Sequence, residues 1–269
     1  KEQSDAKEMA NTAKNETIKD DHKMQFAEKY FTDLKLNSKA HDDFMRPANQ
    51  WKVKAEEIGT YAQTPDATYT AKVKSTDIYK DLALGSAIEK KDVEIYVDGV
   101  ENDSAAPVAI RKGSDTKVGV SGNGVLTEVF YDKDDDSVVI TQVVTYVGQI
   151  SKTVKATSKK DAYVVIETKA SEQNEYAAVP YSIEKKAAVK SGLEFETDEK
   201  FDDDAYVLYT YSFKAEEVKS VAAAEKVEGY VSKTINKVND TDKNNGMTLA
   251  GTEYKMSLAT TGEKLGNVS

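Results

Sequence analysis

Cysteine is absent from this chain. Arginine, histidine and tryptophan are nearly so, represented only by Arg46 and Arg111, His22 and His41, and Trp51. Without cysteine there are no disulfides, no thiolate nucleophile and no cysteine-ligated zinc or iron–sulfur site. A chain of 269 residues that uses none suits an exported protein that folds without oxidative help. Two arginines against 35 lysines leave almost no bidentate clamps for phosphate or carboxylate. No apolar run approaches the ~20 residues that span a bilayer. The formal charge of -10 disfavours nucleic acid, whose binding needs a basic face, and adsorption to anionic lipid. Hydrophobic residues make up 39% and charged residues 31%, the balance expected of modules with thin cores and large solvated surfaces. The chain opens at Lys1 and stops at Gly266-Asn-Val-Ser269 as a further strand-like run begins, so it is expected to be a piece of something longer.

What is present is a series of β-branched and aromatic runs punctuated by acidic turns. Val125-Leu-Thr-Glu-Val-Phe-Tyr131 and Ser137-Val-Val-Ile-Thr-Gln-Val-Val-Thr-Tyr-Val147 flank Asp132-Lys-Asp-Asp-Asp136, which predicts a β-hairpin. Thr68–Lys74 and Val93–Val97 alternate with period two, and Asp98-Gly99 is a two-residue hairpin signal. Four glycines between Gly113 and Gly124 predict tight turns around a short strand at Lys117–Val120. Tyr163–Glu167, Leu193–Glu196 and Tyr206–Phe213 continue the series. Ser182–Lys190 fits a short helix or a loop. Glu216–Glu225 is ambiguous, since its alanines favour helix while Val218 and Val221 suit a strand edge.

At the start, Met24, Phe26, Ala27, Tyr30, Phe31 and Leu34 recur at helical spacing and predict a helix running to about Leu36, followed by a polar break over 37–43. The fold class that follows is mainly β, built of small barrel-like or sandwich modules with an N-terminal helical segment. The expected divisions are a helical or linker segment over 1–51, β modules over 52–160 and 161–225, and a truncated further β repeat over 226–269. A weak self-similarity supports modularity: Glu94-Ile-Tyr-Val-Asp-Gly-Val-Glu101 resembles Met247-Thr-Leu-Ala-Gly-Thr-Glu253.

Each candidate site has a bland reading that fits better. Asp132, Asp134 and Asp136 follow the first ligand spacings of a calcium loop, but Ser137 stands where glycine belongs and Val143 where glutamate belongs. Asp240–Gly246 fails in the same way, and Asp202-Asp-Asp204 has no flanking ligands, so all three read as solvated turns. His22 and His41 have no partner at nucleophile-relay spacing, and neither HExxH nor Gly-x-Ser-x-Gly occurs. Gly119-Val-Ser-Gly-Asn-Gly124 lacks the spacing of a phosphate loop and runs into a strand. Fifteen tyrosines and Trp51 offer material for a sugar platform, but most of the tyrosines fall in period-two strands as cross-strand packing partners. Trp51 is expected to pin the N-terminal region against the first β module.

Taken in order, several segments carry a resemblance. They are Arg46-Pro-Ala-Asn-Gln-Trp51, Glu57-Ile-Gly-Thr-Tyr-Ala62, Thr64-Pro-Asp-Ala-Thr-Tyr69 and Gly122-Asn-Gly-Val-Leu-Thr-Glu-Val-Phe-Tyr-Asp132. Thr145-Tyr-Val-Gly148, Asp161-Ala-Tyr-Val-Val165, Phe201-Asp-Asp-Asp-Ala-Tyr-Val-Leu208 and Val218-Lys-Ser-Val221 follow. From about residue 20 onward the series resembles the region beyond the S-layer homology repeats in large surface proteins of Gram-positive, Clostridia-type bacteria. The resemblance implies an extracellular protein of the cell wall or surface layer, anchored by repeats elsewhere in its full chain. Those repeats are not visible here, and Phe31-Thr-Asp33 alone does not make one. The matched region of that family carries no catalytic, cofactor or metal residues to transfer. The expected role is therefore a non-catalytic structural or spacer region without cofactor. Its expected partners are further copies or other wall components, with glycan as a possible ligand and neither nucleic acid nor membrane insertion. The alternative is a displayed module binding glycan or a host ligand.

Overall fold

The structure, a computed structural model, describes residues 34–53, 56–102, 108–168, 181–182, 187–189, 191–235 and 246–257. The expected N-terminal helix lies on residues outside these, apart from Leu34-Lys-Leu36, which opens a strand. Two compact units, 1–64 and 65–269, are described in turn.

The first unit is an antiparallel meander of β1 (Leu34–His41), β2 (Pro47–Val53) and β3 (Glu56–Ala62), in that order across the sheet. Its first turn is organised by one carboxylate. Asp42 Oδ1 accepts the amides of Phe44 and Arg46, both at 2.9 Å, and Oδ2 pairs with Arg46 Nε at 2.6 Å. Asp side chains close turns in this way by offering the backbone a nearby acceptor. Trp51 lies half-buried in the central strand, opposite Leu36 and Gly59.

The second unit begins with β4 (Ala67–Tyr69), helix α1 (Ser75–Asp81), and β5 (Val93–Val97) with β6 (Val100–Glu101). The long hairpin β7 (Val125–Asp132) and β8 (Ser137–Val144) follows. The sheet order is β4-β7-β8-β5-β6, antiparallel throughout except for the parallel pair β5/β8. The strand expected at 68–74 stops at Tyr69, because the chain turns into α1. Lys74 caps that helix, its amide donating to Asp77 Oδ2 at 3.0 Å. Ile78 of α1 joins Val73, Ile88, Ile95, Ile110, Val118, Val129 and Ile140 in a core under this sheet.

The chain then passes into β9 (Tyr146–Val154), β10 (Tyr163–Glu167), and a small pair β11 (Tyr181–Ser182) and β12 (Ala187–Ala188). Next come β13 (Leu193–Glu196), β14 (Tyr206–Ser212) and β15 (Glu217–Ala223). An antiparallel sheet of order β13-β10-β9-β14-β15 curls until its outer strands β13 and β15 come alongside one another, a nearly closed barrel. Most of the ambiguous 216–225 segment is strand: pairing of β15 with β14 puts Val218 into the core at 6% exposure, while Ala222 and Ala223 are exposed. A last meander contains β16 (Val231–Ile235), β17 (Gly246–Leu249) and β18 (Thr252–Lys255).

The change from one sheet to the other falls at Thr145, the single residue between β8 and β9. Thr145 donates its amide to the carbonyl of Gly124 at 2.9 Å, between Val144, whose amide goes to the Asp98 side chain, and Tyr146, which pairs with Tyr209 of β14. The barrel core gathers Ile150, Val164, Ile166, Val207, Tyr209, Tyr211 and Phe213, but also Val125 and Val144 from the first sheet. One apolar core therefore crosses the corner and joins the sheets.

Candidate functional site

The corner is built around a buried acid. Asp98 and Gly99 form the β5–β6 turn with φ of 49° and 85°, the two positive values a type I′ turn requires. Turn residues are usually solvated, yet Asp98 is only 1% exposed. Its Oδ1 accepts the Val144 amide at 2.8 Å and its Oδ2 the Tyr146 hydroxyl at 2.6 Å. Its own amide donates to the Gln142 carbonyl at 2.9 Å, and its carbonyl accepts the Phe213 amide at 2.8 Å. A single residue thus ties β5, β8, β9 and the end of β14. Burial raises the carboxyl pKa to about 7, against the bonds from Tyr146 and Val144, which lower it. The Tyr146 hydroxyl is pushed far up, first by its own burial and then by the Asp98 charge.

Gln142, 1% exposed, performs a similar service one turn away. Its Oε1 accepts the Val120 amide at 2.8 Å, and its Nε2 donates to the Val118 carbonyl and Thr127 Oγ1, both at 3.2 Å. The glycine-bearing segment 119–124 is thereby closed off. Ser121 Oγ accepts the Val73 amide at 3.1 Å, and the Ser121 amide donates to the Val118 carbonyl. The Val120 and Ser121 amides are thus engaged inside the protein and not turned toward a phosphate. The expected strand at 117–120 is reduced to a single bridge, Lys74 with Lys117.

The acidic turns are organised by their own backbone. Asp132 Oδ1 accepts the amides of Asp134 and Asp135 at 2.9 and 3.2 Å, and the Tyr131 hydroxyl donates to Asp136 Oδ1 at 2.8 Å. Asp136 takes the left-handed conformation that ends the four-residue loop, φ 50°. The β14–β15 loop repeats this form, with the Ala215 amide on Ser212 Oγ and Glu216 at φ 58°. In the 202–204 turn the amide of Asp204 donates to the Ile150 carbonyl, fixing the entry to β14. Asp240 and His22 lie outside the described residues, and His41 is exposed on β1. Among the described residues no three His, Asp or Glu side chains converge as metal ligands.

Among the described residues the tyrosines range from buried through half-buried to exposed. Tyr146 and Tyr209 face one another across β9 and β14 with ring centroids 5.6 Å apart, and Tyr211 stacks edge-on against Phe213 at 5.1 Å. Tyr69 and Tyr96 are half-buried and donate to Asp81 and Glu94 at 2.6 and 2.7 Å. Tyr230 and Tyr254 are the exposed members, at 83% and 39%.

An open groove of about 600 Å³ runs between the 3₁₀ turn Lys90–Asp92 and the 108–116 segment. Lys90, Lys91, Arg111 and Glu89 line it together with Val108, Ala109, Ser114 and Thr116. Its wall is fixed by the start of α1, where Ser75 Oγ bonds the Ala109 carbonyl and the Arg111 amide. Nothing in residue spacing drew attention to this groove, because its two walls come from separate segments.

Comparison with protein-family models, with curated proteins and with solved structures finds no match for this chain.

Proposed function

We propose that the chain is a non-catalytic structural region, a spacer, of a secreted surface protein of the S-layer type in a Gram-positive cell wall. The observation that carries this reading is Asp98, the most deeply buried acid of the chain's described part, engaged at all of its polar atoms in holding two sheets together. A buried carboxylate with accessible partners would suggest acid–base chemistry. This one meets only a backbone amide and a tyrosine inside the core, an arrangement that fixes geometry. The ordered series of segments from Arg46-Pro-Ala-Asn-Gln-Trp51 to Val218-Lys-Ser-Val221 supports the surface-layer assignment. The internal bonds of the Val120 and Ser121 amides and of Asp132 and Asp136 support a structural role for these turns.

A second reading, a glycan-binding module, is favoured by Tyr230, whose ring is almost fully in solvent. A glycan array that includes purified wall polymer and peptidoglycan separates the two. A spacer gives no saturable signal. Saturable binding to a defined saccharide, lost in Tyr230→Ala or Tyr254→Ala, overturns the spacer reading.

A further inference from the structure

The groove described above and the acidic β7–β8 tip stand at the same end of one sheet. β5 pairs in parallel with β8 from Val93↔Val138, and the 3₁₀ turn bearing Lys90 and Lys91 immediately precedes Val93. The tip, Asp132-Lys-Asp-Asp-Asp136, immediately precedes Ser137. Within a chain whose net charge is -10, this end therefore carries a cationic groove beside an anionic projection. Asp134 and Asp135 are exposed, and Arg111 is exposed in the groove lined also by the apolar Val108 and Ala109.

We propose that this end is a self-complementary docking surface, in which the acidic tip of one copy enters the Lys90–Lys91–Arg111 groove of a second and receives that copy's tip in return. Two-fold pairing suits a patch that holds both charges, because each contact is made twice. At physiological ionic strength the Debye length is about 8 Å, so the overall negative charge is largely screened between copies while contacts at ion-pair distance persist. The tip is preorganised by the bonds from Asp132 and Tyr131, which limits the ordering cost of docking. Arg111 is suited to a carboxylate by its planar donor fork. The contact is weak and ionic, and a crowded surface would raise its occupancy through effective concentration. The proposal rests on the spacer reading by naming the partner of such a spacer.

Sedimentation equilibrium in ~0.1 M salt tests it with charge reversals, using Asp134→Lys/Asp135→Lys for the tip and Lys90→Glu/Arg111→Glu for the groove. The unaltered chain dimerises, and each reversed protein alone dimerises at least about tenfold more weakly. An equimolar mixture of the two reversed proteins forms a heterodimer, because both of its contacts again join opposite charges. All four positions are exposed, and circular dichroism checks that folding is retained. A monomer at every salt concentration, or a dimer indifferent to both reversals, overturns the docking surface and leaves the spacer reading standing. Species larger than dimers that are restored on mixing overturn the two-fold arrangement. Saturable glycan binding on the array, by contrast, removes the spacer reading itself.

Discussion

The hydroxyl of Tyr146 lies 2.6 Å from Oδ2 of Asp98, joining the first residue of β9 to the tip of the β5–β6 hairpin in the interior of the protein. Removing the carboxylate leaves this hydroxyl and the Val144 amide buried without partners, at about 1–3 kcal/mol each. Asp98→Ala should therefore lower stability by several kcal/mol, with additional strain because alanine tolerates φ of 49° poorly. Asp98→Asn keeps an acceptor for Val144, tolerates the turn, and should cost far less. The folded pKa of about 7 stands above the ordinary 3.8, so the native state binds the proton more tightly than the unfolded chain. Stability from this group is then greatest at low pH and is lost as pH rises toward and through 7. Urea unfolding at pH 5 and pH 8 should show the unaltered protein losing more stability across that interval than Asp98→Asn. Equal slopes would show that Asp98 stays ionised.

Gln142→Leu deprives the Val120 amide and the Val118 carbonyl of their partners while keeping similar volume. The expected loss is about 2 kcal/mol or more, with the Val120 amide becoming the site of greatest change in hydrogen exchange. Unaltered protection at Val120 would mean that the loop is held by Ser121 alone.

Gly148 is a close-approach position in β9. A Cβ there would collide with Ile166 Cγ2 and stand 3.1 Å from Tyr209 Cε1, and both of those side chains are buried. Gly148→Ala should cost about 1–3 kcal/mol by overpacking, seen as a lower midpoint in denaturant. A neutral result would mean that the β9–β14 interface is looser than its geometry indicates.

Thr141 Oγ1 is fully buried and makes no hydrogen bond. Thr141→Val replaces a hydroxyl with a methyl of nearly the same shape and should raise stability by about 1 kcal/mol. A lower melting temperature would reveal an interaction of that hydroxyl with an ordered water.

Chelating divalent cations should leave the melting temperature unchanged, since Asp132 and Asp136 are already engaged with their own turn. A fall of several degrees in EDTA, reversed by calcium, would reassign the acidic turns as cation sites.

Much of the β architecture was legible residue by residue. The 125–144 hairpin forms with Asp132 opposite Ser137, and Asp98-Gly99 makes the expected two-residue turn. Its sequence relative Ala250-Gly251 adopts nearly the same turn, with φ of 49° and 86°. The tyrosines of β9 and β14 are cross-strand partners, as their alternation suggested. The seam at Asp98 was not legible, because an Asp-Gly pair signals a turn and turns normally face water. Burial came from Phe213 and Tyr146, brought there by distant pairing. The sheet change at Thr145 was hidden for a related reason: Val143, Val144, Tyr146 and Val147 on either side of it favour strand alike and record no change of partner. The basic groove was invisible because Lys90 and Arg111 are distant in sequence and meet only through the Ile88–Ile110 bridge.

The parallel pairing of β5 with β8 has a kinetic consequence. Hairpins such as β7–β8 and β14–β15 can zip from their turns, whereas Val97 meets Gln142 only after residues 98–136 have been gathered into a closed loop. Contacts of such long sequence separation are slow to form. The burial of Asp98 depends on that slow pairing as well as on Val144, Tyr146 and Phe213. Refolding followed by Tyr146 fluorescence is therefore expected to lag behind the formation of strand signal.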